Sequence, residues 1–130
     1  MKILAIALVL ISFPIFANEL KVENYVKMQE ALAKDDFSAA LNVHKNLCQK
    51  DLAHHSEAYK DCKKNFKNID QLRDSFKQLS ILYIANAKKE ELKGLMVAEC
   101  PMAKAKWIQK EGSIANPYYG ESMLECGEKI

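Results

Sequence analysis

The long middle stretch of the chain lacks the residues that most often interrupt helices. Between Glu19 and Lys93 there is neither proline nor glycine, whereas all four glycines and two of the three prolines follow Lys93. Because glycine and proline punctuate turns, their absence favours long helices joined by short connections. The part after Gly94, where they gather, is expected to be irregular.

Long hydrophobic runs are also absent, with one exception at the N-terminus. Ile3 to Ile11 is an unbroken apolar run preceded by Lys2 and followed by Pro14. The run is too short to span a bilayer and is typical of a secretory signal. We therefore expect residues 1–17 to be a signal peptide cleaved near Ala17, with an uncleaved membrane anchor as the alternative. The mature protein is then periplasmic or secreted, and bacterial.

A strong charge of either sign is missing. The formal net charge is +2, and removal of Lys2 with the signal lowers it to about +1. Nucleic-acid binding rests on a strongly positive field, so we expect no nucleic-acid partner. With no second hydrophobic run, contact with the membrane is expected only through an uncleaved signal.

Enzyme motifs are absent as well. The sequence contains no phosphate-binding glycine loop, no HExxH, no G-x-S-x-G and no Cys-x-x-Cys. Pairing Cys100 with a histidine as nucleophile and base has no support in the spacing. The sequence therefore predicts that the protein is not an enzyme.

Apolar residues recur at spacings of three and four in residues 18–93, which indicates amphipathic helices. The predicted fold is mainly α, a four-helix up-down bundle. Asp36 is placed to cap the second helix, because its carboxylate can accept from free backbone N–H groups. The four helices are predicted at Glu19 to Lys34, Phe37 to Lys50, Ser56 to about Ile69, and Asn68 or Asp70 to Glu91.

His44 and Cys48 share the inward face of the second helix, four residues apart. This is metal-ligand spacing, but a packed core histidine is the commoner explanation. His54 and His55 are expected in a solvated turn. Cys62 lies on the inner face of the third predicted helix, so Cys48 and Cys62 either form a disulfide or remain buried thiols, and the sequence leaves both open.

Residues 94–130 are predicted to form a C-terminal cap that packs on the bundle as part of the same domain. Short extended segments are expected at 95–97 and 106–109, and a helical turn at 121–126. Trp107 and Ile108 are expected to anchor the cap in the core. Asn116-Pro-Tyr-Tyr-Gly120 is typical of a turn, with Tyr118 and Tyr119 as packing residues or as a ligand platform.

Four sulfur residues open and close this cap: Cys100, Met102, Met123 and Cys126. Residues 100 and 102 share a face of an extended chain, and residues 123 and 126 share a face of a helical turn. Thiolate and thioether donors suit Cu(I) or Ag(I), so the four are candidate metal ligands. The alternative is a Cys100–Cys126 disulfide, stabilising by about 3 kcal/mol, with the methionines as core filler.

The cap also resembles a known family. The resemblance rests on Cys-Pro-Met-Ala (100–103), Trp-Ile-Gln (107–109), Ile-x-Asn-Pro-Tyr-Tyr-Gly (114–120) and Ser-Met-Leu-x-Cys-Gly (122–127). These strings are similar to the signature of an uncharacterised bacterial periplasmic domain, found alone or fused to heavy-metal efflux adaptors of the HlyD and CusB type. Tyr25 to Asp36 and Phe76 to Ser80 resemble its helices more weakly.

The resemblance implies a helical bundle with a C-terminal cap and an association with copper export. On that basis the main hypothesis is a non-enzymatic protein that binds Cu(I) through Cys100, Met102, Met123 and Cys126. Its expected partner is a periplasmic efflux adaptor or another metal-handling protein. The alternative is a structural or protein-interaction module with a Cys100–Cys126 disulfide and no metal.

Overall fold

A computed structural model describes residues 9–12 and 20–130 of the protein. Most of the predicted signal peptide lies outside these ranges. Within these ranges three helices precede a three-stranded sheet, and short 3₁₀ turns at 61–63, 89–92 and 120–123 lie in the connections between the elements. The elements are α1 (Val22–Ala33), α2 (Phe37–Gln49), α3 (Ile69–Asn86), β1 (Leu95–Cys100), β2 (Ala105–Lys110) and β3 (Glu128–Lys129).

Helices α2 and α3 start where the sequence gives them a capping side chain, whereas α1, which follows Lys21, has none. The Asp36 carboxylate accepts from the backbone N–H of Ala39, which confirms its predicted role at the start of α2. The Asn68 side chain accepts from the N–H of Gln71 at the start of α3. Both side chains satisfy backbone donors that the first helical turn leaves free.

The prediction of a four-helix bundle is wrong. Ile69 already begins α3, and the stretch from Ser56 to Asn68 forms turns, irregular segments and the 3₁₀ segment Asp61–Lys63. Its buried side chains are Tyr59 and Phe66, seven residues apart, and Leu52 lies a further seven residues before them. A segment with so few buried side chains, and with lysines at many of its other positions, buries too little apolar area to stabilise a helix.

Helix α3 corresponds to the fourth predicted helix and is shorter than predicted. It ends at Asn86 rather than near Glu91. Ala87 is extended, and the polar residues after it form a 3₁₀ turn with no buried side chain. Within the described residues no helix has both the length and the apolar character needed to cross a membrane.

A disulfide joins Cys48 of α2 to Cys62 of the irregular segment, with Cα atoms 5.6 Å apart. Beside it His44 is buried, and its Nε2 shares a hydrogen bond of 2.6 Å with the Tyr59 hydroxyl, which in turn contacts Ser75 Oγ. Burial lowers the pKa of His44 to about 4, against the opposing effect of the Asp61 carboxylate. His44 is therefore a neutral core residue at pH 7.

The cap is a sheet with strand order β2-β1-β3, antiparallel throughout. Both short extended segments predicted from the sequence are present as β1 and β2, and each is longer than expected. Trp107 and Ile108 on β2 are fully buried, as predicted, and β2 contacts both α1 and α3. The sheet, and not a fourth helix, completes the core.

Tyr25 of α1 joins the helices to the sheet. Its ring stacks on Phe76 at a centroid distance of 4.8 Å and lies 4.9 Å from Tyr83, both on α3. Its hydroxyl lies 2.6 Å from Ser80 Oγ and accepts from the backbone N–H of Ile108 at 3.3 Å. One buried side chain thus meets α3 through its ring and β2 through its oxygen.

Arg73 of α3 forms hydrogen bonds both to the loop after β2 and to the C-terminal end of α1. Its Nε donates to the carbonyl of Pro117, and its Nη2 donates to the carbonyl of Leu32 and to the Asp35 carboxylate, at 2.9, 2.9 and 2.6 Å. Gly120 has φ +59 and lies against this ion pair so closely that a Cβ would overlap it. The loop that leads to Cys126 is therefore held at a fixed place.

Candidate functional site

The β1–β2 hairpin places the first two sulfur residues. Cys100 ends β1 opposite Ala105, and the four-residue connection that follows contains Met102. Cys100 is fully buried, whereas Met102 is 65% exposed. The N–H of Ala103 donates to Cys100 Sγ at 3.4 Å, so the turn that begins at Pro101 directs a backbone donor at the sulfur.

The C-terminal tail places the other two sulfur residues, Met123 and Cys126. Met123 ends the 3₁₀ turn Gly120–Met123, and Cys126 follows it with its N–H bonded to the Met123 carbonyl. Cys126 Sγ lies 2.7 Å from Cys100 Sγ. Met102, Met123 and Cys126 border one open surface depression of about 520 Å³, together with Glu121 and Glu125. The structure thus brings the two predicted cysteines together and places both methionines at the depression that Cys126 also lines.

Gly127 makes this approach achievable. It has φ +141, and a Cβ there would stand 2.8 Å from Trp107 Cη2 and 2.9 Å from the carbonyl oxygen of Glu99. Only glycine adopts such a conformation without strain. The tail can therefore lie flat on the end of the sheet, where β3 pairs with β1 and brings Cys126 next to Cys100.

Asn116 organises the site, and sequence reasoning missed it. The side chain is fully buried and donates to the carbonyl of Cys126 at 2.7 Å, while its oxygen accepts from the N–H groups of Tyr118 and Tyr119. The signal was present in the Asn-Pro that opens the Asn116–Gly120 turn, since asparagine side chains commonly bond to the backbone two residues on.

The two thiols differ in acidity. Burial disfavours the charged form of Cys100, but hydrogen bonds from the Cys126 thiol, the Ala103 N–H and the Asn116 side chain outweigh it and hold the pKa of Cys100 below its ordinary value. The hydrogen bond to Cys100, and then burial, raise the pKa of Cys126. In the reduced pair, Cys100 is therefore the thiol that loses its proton first.

The tyrosines of the Asn116–Gly120 turn differ in exposure. Tyr118 is buried, donates to the carbonyl of Lys106 at 2.7 Å and lies 2.9 Å from Ser80 Oγ. Its ring meets Trp107 edge to face at a centroid distance of 5.9 Å. Tyr118 is thus a packing residue, and only the half-buried Tyr119 reaches the surface.

Histidines contribute nothing to this site within the described residues. His44 is in the core beside the Cys48–Cys62 disulfide, His54 is exposed and His55 is half-buried. No group of three or more His, Cys, Asp or Glu side chains in the described part of the chain has the arrangement of a metal site. A metal ion at Cys100 and Cys126 would therefore depend on the thioethers of Met102 and Met123.

Comparisons with known proteins add no assignment. None of the family models, curated proteins or solved structures that were compared with this chain gave a match. The resemblance of the cap to the periplasmic domain stays a prediction.

Proposed function

We propose that the protein is a non-enzymatic, exported soft-metal protein. Its reduced Cys100 and Cys126 would bind Cu(I) or Ag(I) together with Met102 and Met123, and pass the ion to a heavy-metal efflux adaptor. The observation that carries the proposal is the meeting of two separate sulfur pairs: the cysteine sulfurs lie 2.7 Å apart, and both methionines border the depression that Cys126 lines.

The donor set fits a soft, singly charged cation. Thiolate and thioether sulfur are soft ligands, whereas Mg²⁺ and Ca²⁺ require oxygen. The Ala103 N–H and the Asn116 side chain favour the thiolate of Cys100, and donors of this kind orient and tune thiolate ligands in metal sites. Binding would release the proton of Cys126, since only the deprotonated sulfur is a ligand.

A disulfide-closed interaction module is the second candidate, and the sulfur distance favours it. Two thiolates that bind one metal ion at about 2.3 Å each stand farther apart than the 2.7 Å between Cys100 and Cys126, so metal binding requires the two sulfurs to separate, whereas a disulfide requires only a small approach. The Cys48–Cys62 disulfide also fits an oxidising compartment. In this candidate the cap is locked, and the surface around Tyr119 docks a protein partner.

An anaerobic titration of Cu(I) against a competing chelator tests the metal proposal. The reduced protein is expected to take up one Cu(I) per chain. Cys100→Ser plus Cys126→Ser should abolish uptake, and Met102→Leu plus Met123→Leu should weaken it at similar side-chain volume. Cys48→Ser plus Cys62→Ser is the matched control and should bind as the wild type does.

Two results would remove the metal proposal: no uptake by the reduced wild type, or equal uptake after both cap cysteines are replaced. A thiol count separates the second candidate. In protein exported to the bacterial periplasm, the Cys48→Ser plus Cys62→Ser variant should show two free thiols in the metal-binding protein and none in the disulfide-closed module.

A further inference from the structure

A groove of about 420 Å³ lies between α3 and the β1–β2 hairpin, apart from the sulfur site. Ile81, Ile84 and Ala105 give it an apolar floor. Ile81 is 65% exposed, although its neighbours Leu79, Ser80 and Tyr83 on α3 are buried. Exposing a large aliphatic side chain to water in a surface groove is unfavourable. Apolar grooves of this kind are common ligand-binding sites.

The border of the groove is positively charged. Lys77, Lys104 and Lys106 line it, and Glu99 is the single acid among its lining residues. Within the described part of the chain none of these lysines forms an ion pair. The groove therefore combines an apolar floor with a surplus of cations.

Two of the three lysines of the groove, Lys77 and Lys106, are connected through Tyr118. Lys77 Nζ lies 5.8 Å from the centre of the Tyr118 ring, and the Tyr118 hydroxyl donates to the carbonyl of Lys106. Tyr118 thus links the residues that carry these two charges. The apolar side chains of Ile81 and Ile84 follow along α3, four and seven residues after Lys77, on one face of the helix.

Lys104 has an unusual backbone for its residue type. Its φ is +50, a conformation favoured by glycine and asparagine. A glycine would fit this turn with less strain but would remove the charge. A long cationic side chain thus stands at the border of the groove despite the local backbone preference.

We propose that this groove binds a single-chain amphiphilic carboxylate, such as a fatty acid, with its alkyl chain over Ile81 and Ile84 and its carboxylate at Lys77 and Lys106. The proposal does not depend on the sulfur site. It assigns to the protein a ligand class that neither a metal site nor a disulfide implies.

The dimensions favour a slender ligand. The nine residues from Lys77 to Ala85 extend about 12 Å along α3, and the volume is within the range of small-molecule sites. A partner helix is about 10–12 Å across with its side chains and would have to contact several turns. One alkyl chain with one anionic head matches both the length and the charges.

Binding is tested with dodecanoate, below its micelle concentration, by amide and methyl NMR of the full mature chain. Dodecanoate should shift the signals of Ile81, Ile84 and Lys106, whereas dodecyltrimethylammonium, with the same chain and the opposite charge, should not. Lys77→Gln plus Lys106→Gln should weaken binding about tenfold, the loss of two exposed charge contacts. Ile81→Ser should weaken it by a similar factor.

The control is Lys45→Gln plus Lys63→Gln, which removes the same charge from two exposed lysines away from the groove and should leave binding unchanged. Lys104→Gly is a further variant, because it removes a charge while relieving the positive φ. It should weaken binding about threefold without lowering the melting temperature, so that unfolding cannot explain the loss.

Three outcomes would overturn the proposal. One is equal binding of the cationic and anionic amphiphiles, and another is an equal effect of the control and the groove variants. The third is binding to phosphatidylglycerol vesicles, with the same dependence on Lys77 and Lys106, in the absence of any shift by monomeric dodecanoate. That result would assign the groove to a membrane surface.

Discussion

Gly127 lies against Trp107 with no room for a side chain, since a Cβ would stand 2.8 Å from Cη2 of the indole. Trp107 is itself fixed, because it is fully buried and its Nε1 donates to Gln109 Oε1 at 2.8 Å. The position of Cys126, one residue before Gly127, follows from this contact. The geometry of the sulfur site is therefore set by the core of the sheet.

Replacing Gly127 by alanine should destabilise the protein and loosen the cysteine pair. Gly112 provides a matched control, because its φ of +135 is close to the +141 of Gly127 and nothing lies within 4 Å of its Cβ position. Both variants would carry backbone strain of about 1–3 kcal/mol. Gly127→Ala should lose roughly 1–3 kcal/mol more through overlap, as measured by urea unfolding. Equal losses would show that the contact with Trp107 is unimportant.

Removing the Cys48–Cys62 disulfide should lower the free energy of unfolding by about 3 kcal/mol, because the bond closes a loop of 14 residues. The comparison is Cys48→Ser plus Cys62→Ser against its parent, both with Cys100 and Cys126 also replaced by serine. Reductant should destabilise the parent and leave the variant unaffected. A parent that is insensitive to reductant would contradict the assigned bond.

Buried His44 should make stability fall as the pH is lowered. Its pKa of about 4 lies below the ordinary value of 6.5, so between these values the unfolded chain binds one more proton than the folded one. Stability is then complete above pH 6.5, declines on acidification and levels off below pH 4, with a total change of about 3 kcal/mol. The facing groups are Tyr59, Ser75, Cys48 and Asp61.

The measurement is urea unfolding at pH 7 and pH 4.5 for the wild type and for His44→Gln, which retains a polar side chain beside Tyr59. The carboxylates titrate in both proteins, so their contribution cancels in the difference. The wild type should lose on the order of 2 kcal/mol more than the variant over this range. Parallel losses would mean that His44 is not buried in its neutral form.

Arg73→Lys should cost far more than its conservative character suggests. The guanidinium serves two carbonyls and the Asp35 carboxylate at once, and an ammonium group cannot reproduce that fork. We expect a loss of about 2–4 kcal/mol. Lys110→Gln, which breaks the exposed 2.8 Å pair with Glu30, should cost under about 1 kcal/mol. Similar losses would contradict the role given to Arg73.

The sequence predicted the helices best where the apolar periodicity and a capping residue indicate the same starting point. In α2 both signals were present, because Asp36 precedes a stripe of apolar residues, and the helix starts at Phe37 as expected. Around Tyr59 the anchors were wrongly taken as a helical stripe. There the long-range bonds decide the conformation: the disulfide to Cys48 and the hydrogen bond to His44 hold the segment irregular.

The sulfur site was predictable in its members but not in its geometry. The residue types identified Cys100 and Cys126 as a pair, yet their distance follows from β3, a strand of two charged residues with no hydrophobic alternation. Asn116 was missed because its bond to the carbonyl of Cys126, ten residues away, is a tertiary contact. Such contacts leave no periodic trace in the sequence.

The bonds from α1 to the cap have a consequence for how the chain folds. Tyr25 meets Ile108 across 83 residues, and Gln29 donates to the carbonyl of Ala115 across 86. Contacts at such separations form late, because the long intervening loop must close first. During synthesis α1 can pack on α2 and α3 early, but its bonds to β2 and to the loop after β2 cannot form until the last quarter of the chain emerges.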